Sequence, residues 1–175
     1  MDLTDPTTAA LLAADALEKA GVRHALYGGL LLAAYGEPRE TRDVGIAVVD
    51  AGAKQAAAAL EALGVAIAPG FEAVVFGGLN TLDLVRPRSE RYRPEALDRA
   101  IRAPLRDRHI SVLAPEDFVL FKLLSTRDLD LEDVRSVLRR SGRHVDRDLI
   151  EREVGRLAVE ISDHDVQGRW RKTCA

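Results

Sequence analysis

Two short features near residues 27–50 could carry phosphate and metal chemistry. Gly28 and Gly29 stand where an apolar run gives way to a predicted helix, and Asp43 opens the next apolar run. Glycine lets a ligand approach the backbone closely, and N–H groups at a helix N-terminus favour an anion such as phosphate. Asp43 could hold Mg²⁺, which prefers a few carboxylates plus phosphate oxygens. Alone, the glycines are also typical of a tight turn, and Asp43 of a surface or capping aspartate.

A second aspartate strengthens the metal-site hypothesis. Asp83 alternates with Leu82 and Leu84 in a predicted strand, so its side chain should face away from the apolar side of that strand. Polar residues in such positions are also common on a solvated sheet face. The spacing of the two aspartates therefore leaves a metal site and a solvated surface both open.

The elements that must position these residues follow from hydrophobic periodicity and from helix stop signals. Strands are predicted at residues 23–27, 43–49, 73–76, 81–85 and 109–113, with a Gly-Gly-Leu-Asn turn at 77–80. Helices are predicted at residues 7–20, 30–35, 52–63, 94–101, 115–124, 129–140 and 147–161. This order predicts an α/β (α+β) fold: a mixed-sheet core over residues 1–113, and a C-terminal helical region over 114–175 packed on it.

Composition bounds the class of protein. The 175 residues include 28 acidic and 25 basic ones, and this near balance excludes a global polyanion-binding surface but not a local patch. The single cysteine, Cys174, excludes a disulfide framework and a cysteine-rich zinc site, and it fits a reducing cytosol. The polar, acidic N-terminus is unlike a signal peptide, and the uncharged run at 25–36 is too short to span a bilayer. We therefore expect a cytoplasmic protein with no membrane partner.

Two stretches of the sequence resemble a known family. "GGLLLAAYGEPRETRDVG" is similar to the first motif of the DNA polymerase β-like nucleotidyltransferases: Gly-Gly or Gly-Ser, an intervening segment, then Asp-x-Asp or Asp-x-Glu, with a third carboxylate on a later strand. Its Arg-x-Thr-x-Asp portion resembles the AbiEii-type nucleotidyltransferases of bacterial toxin–antitoxin systems. "VLAPEDFVLFKLLSTRDLDLEDVRSVL", residues 112–138, resembles the same group. With the strand of Asp83, the resemblance spans residues 22–140.

The resemblance implies a nucleotidyl transfer reaction and a role for each matching residue. Gly28 and Gly29 would hold the triphosphate of an NTP substrate. Asp43 and Asp83 would ligate Mg²⁺ or Mn²⁺, and Asp83 would also help to deprotonate an acceptor hydroxyl. The hydroxyl would attack the α-phosphorus in line and release pyrophosphate, while two metal ions stabilise the attacking and leaving oxygens.

The resemblance also implies a set of residues around the phosphates. Lys122 would contact them, and Asp133 would position either that lysine or the nucleotide. Arg39 and Arg42 flank the motif and could neutralise phosphate charge. Each also has a structural interpretation: Lys122, in an apolar series, is as typical of a snorkelling side chain as of a site residue. The acids at 128, 130, 132 and 133 lie near arginines and are typical of a solvated, salt-bridged helix surface.

The sequence departs from the motif at Gly45, where the family has its second carboxylate. The strand period places position 45 on the same face as Asp43, so the face is kept but the ligand is missing. Asp43 and Asp83 could still hold one Mg²⁺ delivered with a triphosphate. A deficit of roughly 3–5 kcal/mol would slow transfer about 10²–10⁴-fold. Glu40, in a predicted loop, is a poor replacement. A natural degenerate site, a substitution made for study, and a site completed by another chain remain open.

The acceptor and the partners are less constrained. RNA, protein and small-molecule hydroxyls would all serve. Residues 86–108 contain eight arginines against four acids, which could steer an anionic acceptor such as tRNA but is also typical of a solvated surface. The alternative function is a catalytically inactive protein on the same fold, which binds a nucleotide or a protein partner (an antitoxin or a toxin).

Overall fold

The computed structural model describes residues 5–41, 43–48, 50–62, 66–67, 74–76 and 80–174. Arg42 and residues 77–79 of the predicted turn lie outside the described residues. The helices are α1 Pro6–Lys19, α2 Gly29–Tyr35, α3 Asp50–Glu61, α4 Tyr92–Asp98, α5 Pro115–Leu124, α6 Leu129–Ser141, α7 Arg147–Glu160 and α8 Val166–Cys174. The strands are β1 His24–Tyr27, β2 Asp43–Val48, β3 Ala66–Ile67, β4 Val74–Phe76, β5 Asn80–Val85, β6 Ile101–Leu105 and β7 Arg108–Val112.

The strands form a mixed sheet in the order β3-β4-β5-β2-β1-β7-β6. At its centre β1 runs antiparallel to β2, and β2 runs parallel to β5. This register pairs Tyr27 with Gly45 and Gly45 with Asp83, so the three residues form one row across the sheet. The protein therefore has the α/β (α+β) architecture that the sequence predicts, with the two motif strands side by side.

Burial explains why β2 occupies the centre of the sheet. Only its first residue, Asp43, is exposed, while the apolar run from Val44 to Val48 is buried. Helix α1 packs against β1, β2, β5, β7 and α3. Its N-cap is Asp5, whose carboxylate accepts hydrogen bonds from the backbone N–H groups of Thr7 and Thr8. Helix α2 packs on β1 and β2 and also contacts α6, which brings the C-terminal helices to the motif end of the sheet.

Helix α5 lies at the centre of the C-terminal helices and contacts α6, α7 and α8. Seven of its ten residues are buried, and Lys122 is fully buried among them. The snorkelling interpretation of Lys122 is therefore wrong, because a snorkelling lysine keeps its ammonium group in water. No helix of the described residues is long and apolar enough to cross a membrane.

The structure differs from the predicted elements mainly around residue 101. The predicted helix at 94–101 ends at Asp98, and Ile101 instead begins strand β6, which pairs with β7. Strand β6 has no buried face, so its sequence lacks the alternation of apolar and polar residues that indicates a strand. It also contains Pro104, and a proline argues against a strand. Edge strands tolerate both features because one side makes no ladder. Strand β3 and helix α8 were likewise not predicted.

Candidate functional site

A cleft of about 780 Å³ opens at the end of the sheet where the motif strands lie. The predicted site residues that line it are Gly28, Gly29, Arg39, Asp43, Asp83 and Lys122. Asp133 lies beside them, bound to Lys122 and Arg39. Arg42 is outside the described residues. The structure thus brings together every predicted site residue that it describes.

The two glycines are required by the local backbone. Gly28 has a φ of 88°, which side-chain-bearing residues rarely adopt, and it precedes the first turn of α2. A Cβ on Gly29 would lie only 2.8 Å from the Cβ and Oγ1 atoms of Thr41. A side chain at position 28 would strain the backbone and one at position 29 would displace Thr41, so the β1–α2 turn presents bare backbone to the cleft.

Two carboxylates face the cleft from neighbouring strands. Asp43 is exposed at the start of β2, and Asp83 on β5 is half-buried beside Gly45. Burial, together with the negative charge of Asp43, raises the pKa of Asp83. A divalent cation would relieve this repulsion, and oxygen donors are the ligands that Mg²⁺ prefers. In the described part of the chain no group of three or more acidic, histidine or cysteine side chains could enclose a metal. The residues therefore fit one Mg²⁺ completed by phosphate oxygens and water.

The Tyr27 ring packs closely against position 45. A Cβ on Gly45 would lie 2.9 Å from Cδ1 of the Tyr27 ring and 3.1 Å from its backbone oxygen. The ring is held in place by Phe118 and Phe121, at centroid distances of 5.8 and 5.3 Å. An aspartate at position 45 would therefore require a buried aromatic ring to move, so the site is built around two carboxylates.

A buried ion-pair network forms one wall of the cleft. The ammonium group of Lys122 lies 2.5 Å from Asp130 Oδ1 and 2.7 Å from Asp133 Oδ2. Asp133 accepts two hydrogen bonds from Arg39, at 3.0 and 3.1 Å, and Asp130 accepts two from Arg127, at 2.9 and 3.2 Å. The three cations of this network thus share two carboxylates, so the wall carries a net positive charge.

Two residues of this wall were not singled out from the sequence. The prediction that Asp130 lies on a solvated surface is wrong, as it is for Asp133, because both carboxylates are buried. The signal was present, since a lysine in an apolar helix needs counter-ions and residues three apart on α6 share one face. Once Asp130 is recognised as buried, Arg127 can be recognised as its second partner, because Arg127 donates two hydrogen bonds to it. Tyr27 and His164 also line the cleft, and no sequence signal marks either of them.

The arginine-rich segment at 86–108 mostly holds the fold together. Among the described residues, its arginines form ion pairs with acids of the same chain that include Arg88 with Asp163, Arg91 with Glu95, Glu153 and Glu160, Arg99 with Asp117, Arg102 with Glu18, Arg106 with Asp5, and Arg108 with Asp15. Arg86 and Arg88 line the cleft. Attraction of an anionic acceptor would therefore act at the cleft mouth rather than along the whole segment.

The fold is similar to that of solved nucleotidyltransferase structures. The chain matches the solution structure of the antibiotic-resistance factor ANT(2'')-Ia with a TM-score of 0.65, at 15% identity over 93% of this chain and 98% of that chain. It matches the lincomycin-bound lincosamide antibiotic adenylyltransferase LnuA with a TM-score of 0.51, at 18% identity over 78% of this chain and 98% of that one. The chain has the nucleotidyltransferase fold.

A third structure with this nucleotidyltransferase fold is an antigenic nucleotidyltransferase-like protein from Paracoccidioides brasiliensis. It matches with a TM-score of 0.54, at 19% identity over 77% of this chain and 75% of that chain. No protein-family profile and no characterised protein sequence matches the chain. Since each of these three identities is below 20%, the likeness concerns the fold alone.

The contact between Tyr27 and position 45 can be tested by stability. Gly45→Ala should lower the free energy of unfolding by about 1–3 kcal/mol, because the new methyl group meets the Tyr27 ring and backbone. Combining it with Tyr27→Leu should recover part of that loss in a double-mutant cycle. Urea denaturation measures both.

The control is the same substitution where there is room. A Cβ on Gly155, in α7, meets nothing within 4 Å, so Gly155→Ala should stabilise the protein by up to about 1 kcal/mol through helix propensity. Equal effects of alanine at positions 45 and 155 would show that Tyr27 does not restrict position 45.

The ion-pair network predicts a pH dependence. Burial raises the pKa of Asp130, but the charge of Lys122 and the hydrogen bonds from Arg127 outweigh it, so the pKa lies below its usual value. Ionised Asp130 therefore stabilises the fold above the unfolded-state pKa of about 3.9, and this contribution disappears as the pH falls through the folded pKa. Asp130→Asn should lower the free energy of unfolding at pH 7 by about 3–5 kcal/mol.

The deficit of the Asp130→Asn variant should shrink as the pH is lowered from about 5 toward 2. Urea denaturation across this range measures it. Glu132→Gln, on the same helix but in an exposed pair with Arg135, should change the free energy of unfolding by less than about 1 kcal/mol. A deficit for Asp130→Asn that is independent of pH would contradict the assigned ionisation.

Proposed function

We propose that the protein is a nucleotidyltransferase that binds an NTP with one Mg²⁺ or Mn²⁺ and transfers its nucleotidyl group slowly to a hydroxyl acceptor. The observation that carries the proposal is the shared cleft. In it the bare backbone of Gly28 and Gly29 shares the lining with basic side chains, and Asp43 and Asp83 lie on adjacent strands. Backbone N–H groups and cations suit phosphates, while paired carboxylates suit the metal that accompanies them.

The residues of the chain would perform distinct tasks. Gly28, Gly29 and Arg39 would hold the triphosphate, and Asp43 with Asp83 would hold the metal, which when bound would neutralise charge on the phosphates. Asp83 would accept the proton of the acceptor hydroxyl while the hydroxyl oxygen forms a bond to the α-phosphorus. The bond from the α-phosphorus to the bridging oxygen breaks, and pyrophosphate leaves with the electron pair.

Lys122 and Asp133 would act as positioning residues. No part of the Lys122 side chain is exposed, and its ammonium group already binds two carboxylates. In this arrangement it fixes Asp133, which in turn orients the guanidinium group of Arg39. Its direct contact with phosphate remains a prediction.

The charge of the cleft bears on the acceptor. Besides Asp43 and Asp83, the charged residues among its described lining are basic: Arg39, Arg86, Arg88, Lys122 and Arg127. This balance favours an anionic or uncharged acceptor over a polycationic one. RNA, including tRNA, and small-molecule hydroxyls both satisfy it. The resemblance to the AbiEii-type group adds a toxin–antitoxin role and a bacterial, cytoplasmic setting to the proposal.

One observation favours a second candidate, a catalytically inactive nucleotide-binding or partner-binding protein. Position 45 carries glycine where the motif has its second carboxylate, so the site lacks the ligand that the motif uses for a second metal, and a side chain there would crowd the Tyr27 ring. If this candidate acts in a toxin–antitoxin system, we expect an adjacent gene that encodes a small DNA-binding protein.

Transfer of label separates the two candidates. The protein is incubated with NTPs labelled at the α-phosphate, Mg²⁺ and a tRNA pool, and labelled RNA is counted. We expect slow transfer that Asp83→Ala abolishes, while Asp98→Ala, which removes an exposed acid paired with Arg23 outside the cleft, leaves it unchanged. Saturable NTP binding without transfer to any hydroxyl acceptor would instead support the inactive candidate.

A further inference from the structure

The two carboxylates leave the charge of a bound triphosphate incompletely balanced. Because residue 45 is glycine, the carboxylates that line this end of the cleft are Asp43 and Asp83, which suit one divalent ion. An NTP with one Mg²⁺ remains anionic, and a site with three carboxylates would neutralise it with a second metal. A fixed cation at the same place would have the same electrostatic effect.

Arg127 is held as such a cation. Its Nε and Nη2 atoms donate to the two oxygens of buried Asp130, while its backbone N–H donates to Ser125 Oγ at 3.1 Å. Its carbonyl oxygen accepts a hydrogen bond from Arg169 at 2.9 Å. Both the backbone and the side chain are therefore fixed before any ligand arrives. Within the described residues Nη1 makes no hydrogen bond, and the side chain is 64% exposed in the cleft.

Three other cations of the cleft are placed differently. Lys122 is enclosed by Asp130 and Asp133, with none of its side chain exposed. Arg88 is bound to Asp163 at the surface. Arg39 lies near Thr41 and Asp43, on the β2 side. The charge of Arg127 acts on Asp83, the residue next to Gly45 in the sheet. Arg127 is thus a cation of the cleft lining whose charge reaches Asp83, the sheet neighbour of the position that lacks a carboxylate.

We propose that Arg127 binds the triphosphate of the nucleotide and supplies the positive charge that a second metal ion would supply if position 45 carried a carboxylate. The planar guanidinium group suits this role because it stays charged and matches the geometry of phosphate oxygens. Asp130 is then its positioning residue. The inference rests on the proposed function, since it assumes that the cleft binds an NTP.

Nucleotide affinity tests the inference without measuring activity. A non-hydrolysable NTP analogue and the corresponding monophosphate are titrated with Mn²⁺ into the wild type, Arg127→Ala, Arg127→Lys and Asp130→Asn. Arg127→Ala should weaken binding of the triphosphate roughly 10- to 100-fold, the size expected for lost charge-assisted hydrogen bonds, and should change monophosphate binding much less. Arg127→Lys should recover part of the affinity, and Asp130→Asn should weaken it in the same direction.

Two further measurements complete the test. Electron paramagnetic resonance should count one bound Mn²⁺ per nucleotide in the wild type, and Arg135→Ala, on α6 outside the cleft, should bind as the wild type does. Circular dichroism confirms that Arg127→Ala is folded, and Arg127→Gln replaces it if it is not. Unchanged triphosphate affinity in the Arg127 variant, or two Mn²⁺ per nucleotide in the wild type, would overturn the inference alone. No NTP binding by the wild type would overturn the proposed function as well.

Discussion

The cleft depends on the buried ammonium group of Lys122. Removing a charge from water costs several kcal/mol, and α5 can bury this one only if partners meet it inside the protein. Asp130 and Asp133, three residues apart on α6, provide them and are buried in turn. Each aspartate has oxygen lone pairs left over, and each directs an arginine, Arg127 or Arg39, to the cleft. The packing of two helices thereby sets the charge of the basic wall of the cleft.

The same lysine connects the basic wall to the sheet. Its ammonium group lies 5.3 Å from the centroid of the Tyr27 ring, within cation–π range, and Phe118 and Phe121 pack on the other parts of that ring. Tyr27 in turn covers Gly45. The absence of a side chain at position 45 is therefore matched to the packing of the aromatic rings beside it. Restoring an aspartate there alone would disturb that packing before it added a metal ligand.

The parts of the site that depend on local chain geometry could be predicted from the sequence. Side chains alternate between the two faces of a strand, and this alternation in β2 and β5 predicted that Asp43 and Asp83 share a face. The glycine pair predicted the turn before α2. The fold class followed from the order of the elements. Strand β6 was missed because its proline and its lack of a buried face conceal it. The burial of Asp130 and the close packing of Tyr27 against position 45 were missed because both arise from side-chain packing between elements distant in sequence.

The proposed function requires that Asp43 and Asp83 hold a divalent cation together with the phosphates of a nucleotide. Crystals grown with Mn²⁺ and a non-hydrolysable NTP, measured at a wavelength where manganese scatters anomalously, locate the metal directly. We expect one anomalous peak between the carboxylates of Asp43 and Asp83, with the triphosphate extending from Gly28 and Gly29 toward Arg127. Nucleotide bound elsewhere, or bound in the cleft with the metal away from both aspartates, would contradict it.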